Sequence, residues 1–239
     1  MAVIKVEDIA HVRYSAPDLP AMSAFLHDFG FLVSEVQGRL YARGSDGRPF
    51  VHVTEPGPAE FRAIGFRAGS VADLETLAAH EGLALQDCLE PGGGKLLVLT
   101  DPDGYRVEII AGQENVPATA LPSDPPRNTA AARQRLRQTV RLDPRPSQVR
   151  RIGHAVLKVR DFRQSEAWYK QRLGFLTSDE IEAAPGVPLG AFMRCDRGDK
   201  PADHHTLFLA QLPGKLGILH AAFEVSNLDD LMLGHQHLK

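Results

Sequence analysis

The chain repeats itself, and the repeat limits the possible folds more than any other feature. Residues 9–31 read IAHVRYSAPDLPAMSAFLHDFGF, and residues 152–175 read IGHAVLKVRDFRQSEAWYKQRLGF. Each segment has a histidine third from its start, His11 or His154. Each then runs to an aspartate, Asp18 or Asp161, and closes on Gly-Phe, at Gly30-Phe31 and Gly174-Phe175. The histidine-to-glycine spacing is 19 in the first copy and 20 in the second. A shorter echo lays residues 63–74 (AIGFRAGSVADL) on residues 220–231 (HAAFEVSNLDDL), with Phe66 on Phe223. Four copies of one unit therefore start near residues 8, 61, 150 and 217, the pattern of a duplicated supersecondary element.

The unit has a physical reading. Segments 9–14 and 152–159 alternate with period two and predict half-buried strands. Leu19, Met22, Phe25 and Phe29 then recur at helical spacing, as do Val71, Leu74, Leu77 and Ala78. Asp18 and Asp161 stand where a helix begins, and Gly30 and Gly174 where one ends. Further strands are expected at 50–54, 95–99 and 105–110, the last two joined by the turn Asp101-Pro102-Asp103-Gly104. The result is an α+β chain built from β-α-β-β-β modules.

Residues 113–149 break the pattern, holding six of the 17 prolines and few large apolar side chains. They divide the chain into an N-terminal pair of modules (1–112), a Pro/Arg-rich connector (113–149) and a C-terminal pair (150–239). Within the connector, residues 128–141 (NTAAARQRLRQTVR) are expected to form an Arg-rich helical arm. Its arginines fit either a polyanion site or a solvated interface helix.

Composition narrows the function classes. With 43% hydrophobic and 24% charged residues, the chain can bury a core, and its net charge of -3 gives no reason to bind nucleic acid or anionic lipid. No run approaches the ~18 apolar residues of a membrane helix. Lys5, Glu7 and Asp8 argue against a secretory leader. Cys88 and Cys195 are too few for a disulfide framework or a thiolate zinc site. The expectation is a cytoplasmic enzyme or binding protein. Its ten histidines call for an explanation.

Paired β-α-β-β-β modules with histidine on the opening strand resemble the vicinal oxygen chelate superfamily of glyoxalases, antibiotic-resistance proteins and extradiol dioxygenases. Four modules, with the histidines richest in the C-terminal pair, look most like a type I extradiol ring-cleavage dioxygenase. The resemblance implies curved mixed sheets, two module pairs and a homo-oligomer. It also implies Fe(II), with Mn(II) as the rarer choice, held by two histidines and a glutamate. That facial arrangement leaves positions for a small aromatic diol and O2. By the same resemblance the metal ligands are His154 and His220. His205, fifteen residues ahead of His220, is the catalytic acid/base. His204 is expected on the opposite face of the same strand. Taken singly, each of these histidines is also compatible with a packed core or edge residue. It is the placement of His154 and His220 at equivalent repeat positions that favours ligands.

The chain departs from the pattern at its end. The glutamate ligand and a catalytic tyrosine lie late in the fourth module, whereas Lys239 falls inside or just after that module's helix. The sequence therefore reads as a truncated record of a longer protein, with both groups beyond Lys239. In the N-terminal pair the matching positions hold His11, Ala63 and Glu108. His11, His52 and Glu108 could form a second two-histidine, one-carboxylate set serving a glyoxalase or isomerase with Zn(II) or Ni(II). A third reading is a non-catalytic protein that binds an aromatic or an antibiotic.

Overall fold

The computed structural model describes residues 2–121, 126–137, 139 and 142–239. The first half runs β1 (Val6–Ala16), α1 (Leu19–Phe29), β2 (Leu32–Val36), β3 (Arg39–Arg43) and β4 (His52–Pro56). It continues through β5 (Glu60–Ala68), α2 (Val71–Glu81), β6 (Gln86–Asp87), β7 (Lys95–Thr100) and β8 (Arg106–Ala111). The second half runs β9 (Arg151–Lys158), α3 (Phe162–Leu173), β10 (Phe175–Ala184), β11 (Val187–Cys195) and β12 (Leu207–Ala210), then β13 (Gly217–Glu224) and α4 (Leu228–His237). Strand and helix order follow the modules read from the sequence, with boundaries shifted by a residue or two.

Local chemistry sets the helix starts. The Asp18 carboxylate accepts from the Ala21 amide at 2.9 Å, and that of Asp161 from the Gln164 amide at 3.1 Å, in each case filling one of the orphan donors of a first turn. Both helices stop at a left-handed glycine, Gly30 at φ +112° and Gly174 at φ +73°.

The strands form an eight-stranded mixed sheet ordered β2-β3-β4-β1-β5-β8-β7-β6 and a five-stranded one ordered β10-β11-β12-β9-β13. The connectivity repeats. β1 lies parallel to β4 and antiparallel to β5, and β9 lies parallel to β12 and antiparallel to β13. Neither sheet closes into a barrel.

One face of each sheet turns to a shared core. Val12, Ile64, Phe66 and Ile109 from the first sheet join Ala155, Leu157, Leu207 and Leu209 from the second, with Leu26, Leu77 and Tyr169 from the helices between them. Phe66 meets Tyr169 and Phe175 edge-on at 6.2 and 5.2 Å. The buried Tyr169 hydroxyl donates to Asp101 at 3.1 Å, and Tyr105 donates to the Lys158 carbonyl at 2.6 Å. The opposite faces of the two sheets look outward, away from each other, and carry the polar residues of interest.

The connector ends in a strap. The Val149 amide donates to Gly30 and its carbonyl accepts from Ser45, while the Ser147 hydroxyl donates to the Asp230 carbonyl at 2.9 Å. A Cβ on Gly30 would collide with the Ser147 carbonyl, so glycine is required there for space as well as for its φ.

The helical arm expected over 128–141 does not form among its described residues, 128–137 and 139, while Gln138, Val140 and Arg141 lie outside the described set. Leu136 is the one large apolar side chain in the described part, and it stays exposed. A short helix with no face to bury gains too little from packing to offset the cost of nucleation. No described helix is long and apolar enough to cross a membrane.

Candidate metal centre

Strand alternation decides which side chains share the outward face of the second sheet. Ala155 and Leu157 enter the core, so His154, Val156 and Lys158 emerge on the other side. β13 pairs antiparallel with β9, setting His220 opposite Val156 and Ala222 opposite His154. The two imidazoles converge, with His154 Nε2 3.2 Å from His220 Nε2. The ring of His205 lies 4.1 Å from that of His154, centroid to centroid. Three histidines far apart in sequence thus meet on one face.

The separation can be tested against ligand geometry. Imidazole nitrogens sit about 2.0–2.1 Å from a first-row dication, so two of them at roughly a right angle lie about 3.0 Å apart. The observed pair fits. As neutral rings, one donates to the other across the same distance. Burial, with repulsion from His205 and His220, lowers the His154 pKa to about 4 and so keeps it in the neutral form that ligates. Among the described residues no group of three or more His, Cys, Asp or Glu side chains is arranged to hold a metal ion, His205 beside the pair included.

His205 lies outside the strand that the sequence suggested for it. β12 begins at Leu207, and the preceding turn is held by Arg151, whose Nη1 and Nη2 donate to Asp203 at 2.7 and 3.0 Å. Without a strand there is no alternation, so His204 and His205 do not point to opposite faces. Their Nδ1 atoms are 3.2 Å apart and both rings pack on Phe192. Burial, then the His204 charge, lowers the His205 pKa. Phe192 stacks on Phe208 at 4.2 Å and 16°, giving the face a flat apolar wall beside the histidines.

The outward face of the first sheet is built from the same positions but is filled. His11 Nε2 reaches Glu108 Oε2 at 2.7 Å, and Arg13 donates to that same oxygen at 2.9 Å and to Glu90. Arg106 donates to Oε1 at 2.7 Å, so both carboxylate oxygens are occupied. Burial alone would raise the Glu108 pKa, yet His11 and Arg13 hold it well below the usual carboxylate range. His52 is absent from this group. It pairs in register with Val12 and stacks on Tyr14 at 5.1 Å, on the core side of the sheet, so His11, His52 and Glu108 do not converge. The register of β4 against β1 decides this, and a lone FVHV segment does not reveal it. Arg13 was missed from the sequence, although laying His11 on His154 places it on Val156.

No family model matches the chain. It is 26% identical over 245 residues to the biphenyl-2,3-diol 1,2-dioxygenase of Pseudomonas sp. strain KKS102, an alignment covering 95% of this chain and 75% of the relative. Among solved structures it resembles the Mn(II)-bound glyoxalase of Novosphingobium aromaticivorans, with a TM-score of 0.76 and 20% identity over 98% of this chain and 71% of that one. It also resembles an extradiol ring-cleaving dioxygenase of B. fuscum, with a TM-score of 0.73 and 17% identity over 99% of this chain and 62% of that one. The fold is therefore the vicinal oxygen chelate fold, shared with extradiol dioxygenases and a glyoxalase.

Proposed function

We propose that the chain is an Fe(II)-dependent extradiol dioxygenase, with Mn(II) as the alternative metal, that cleaves a catechol-type ring using O2. The observation that carries this reading is the 3.2 Å approach of His154 and His220 beside His205 on one outward face. The distant likeness to a biphenyl-2,3-diol dioxygenase supports it. His154 and His220 are two of the metal ligands. The resemblance implies a carboxylate as the third ligand, and the first half shows the matching place, with Glu108 on β8 beside β5. When bound, the metal would favour loss of the catechol protons and bring the diol and O2 together.

The chain's own residues supply the rest. The neutral His205 ring, beside His154, takes and returns a proton at the reacting oxygens. Phe192 and Phe208 offer an apolar wall that orients a planar ring and keeps water from it. In this reading residues 150–239 carry the centre, 1–112 form a metal-free scaffold and 113–149 connect them. The protein works as a cytoplasmic homo-oligomer.

The test is an anaerobically iron-loaded preparation given a panel of catechols and then O2. A yellow ring-opened product is expected, with one O2 consumed per ring. His154→Ala and His220→Ala should abolish metal uptake. His205→Ala should keep the metal and lose about 10²–10⁴-fold in turnover. No product from any catechol would overturn the activity. Metal uptake that survives both ligand substitutions but fails on His11→Ala or Glu108→Gln would move the site to the first half, as a glyoxalase-like reading requires. Tight binding of an aromatic without any metal requirement would point to a sequestering protein.

A further inference from the structure

The duplication lets one outward face be read against the other, position by position. His11 stands opposite Gly65 on β5 as His154 stands opposite Ala222 on β13, and Arg13 stands opposite Ala63 as Val156 stands opposite His220. These equivalences hold in strand register as well as in alignment. Where the second half brings two imidazoles together in front of Val156, the first half has one imidazole, an alanine methyl and a long cation. Glu108 completes the set, in register with Gly65 from the neighbouring strand. The His11 ring lies so close over Gly65 on its way to Glu108 that any Cβ there would collide with it.

The ligand-type groups of the first face, His11 and Glu108, therefore meet each other, and the Arg13 guanidinium joins them at the Glu108 carboxylate. Its Nη2 is 2.9 Å from the Glu108 oxygen that His11 also reaches. The His11 and Glu108 side chains are 0% and 1% exposed. A buried carboxylate of this kind needs a positive partner, because desolvation without one is severe. Arg13 is the cation that buries with it.

We infer that Arg13 is a resident cation standing where a divalent metal ion would stand. The first face is a metal-type site, closed by the guanidinium and short of one ligand at Ala63. Two substitutions separate it from holding a transition-metal dication through His11, Glu108 and the imidazole introduced by Ala63→His. The exchange must be double, because Ala63 is fully buried and a larger side chain needs the room that Arg13→Val vacates. The inference uses the second half only as a template and does not depend on ring cleavage there.

The experiment counts Co(II) by equilibrium dialysis and by its visible absorption. The parent is the full chain carrying His154→Ala and His220→Ala, so that any metal bound belongs to the first face. The parent should bind none. Addition of Arg13→Val and Ala63→His should bring one equivalent of Co(II) and a Tm that rises with Co(II). A further Glu108→Gln should remove both. A folded double variant that takes up no Co(II), or a parent that already binds Co(II) through Glu108, would overturn the inference. If the double variant does not fold, Arg13→Ala alone decides the matter. Its Tm should fall and recover with millimolar guanidinium but not with sodium. An unchanged Tm, or no recovery, would overturn the inference equally. Failure of the unsubstituted chain to bind Co(II) at His154 and His220 would count against the proposed function and leave this inference intact.

Discussion

His11 and His52 sit on paired strands and are both buried, yet they leave one sheet on opposite sides and meet different chemistry. His11 finds a carboxylate, whereas His52 finds the rings of Tyr14 and Phe31. Burial, then the nearby His11, lowers the His52 pKa from 6.5 to about 4. The unfolded chain therefore binds this proton more readily than the folded one between those two values. Stability from this source is full above about pH 6.5 and falls as the pH drops towards 4, by up to roughly 3 kcal/mol. Denaturant midpoints at pH 7 and pH 4.5 should differ less in His52→Phe than in the native chain. An equal loss in both would contradict the assignment. At this scale the residue types were legible but not their partners: His154 and His220 stand out at equivalent positions of the repeat and His205 through the family resemblance, while the role of Arg13 needed the register of β1 against β5.

The elements were more legible than the residues that link them. Asp18, Asp161, Gly30 and Gly174 bounded two helices because capping depends on a few consecutive residues. β6, only two residues long, leaves no periodicity to read. The strap at 145–150 was also invisible, since its order comes from residues distant in sequence, Asp230 of α4 for Arg145, Ser147 and Gln148, and Gly30 and Ser45 for Val149. The Asp230 carboxylate, 2% exposed, accepts from Arg145 at 2.6 Å and from the Gln148 amide at 3.2 Å. Asp230→Ala should strand those donors and cost about 3 kcal/mol. Amide exchange should then quicken at Gln148 and Val149 more than in β1 or β9. Uniform quickening would mean that the strap is not held separately by α4.

At the scale of the whole molecule, the two sheets lean on one apolar layer. Phe66, Tyr169 and Phe175 interlock across it, and the turn at Asp101–Tyr105 reaches β9 and α3 through two tyrosine hydroxyls. The halves should therefore melt together. Calorimetry of the chain should show a single transition, and Phe66→Ala should lower it as a whole, at a cost of about 3–5 kcal/mol. Two resolved transitions would show that each half holds its own core.

That back-to-back packing has a consequence for how such a chain changes over time. Between the front of one sheet and the front of the other lies a core made mostly of aliphatic and aromatic side chains, which pass on shape but little charge. Two descendants of one ancestral unit can thus drift under separate selection on a single polypeptide, much as two genes do after a duplication. The freedom is one-sided, however. The half whose front is now closed by Arg13 still forms the wall against which the other half's helices rest, so it can lose its chemistry but not its place.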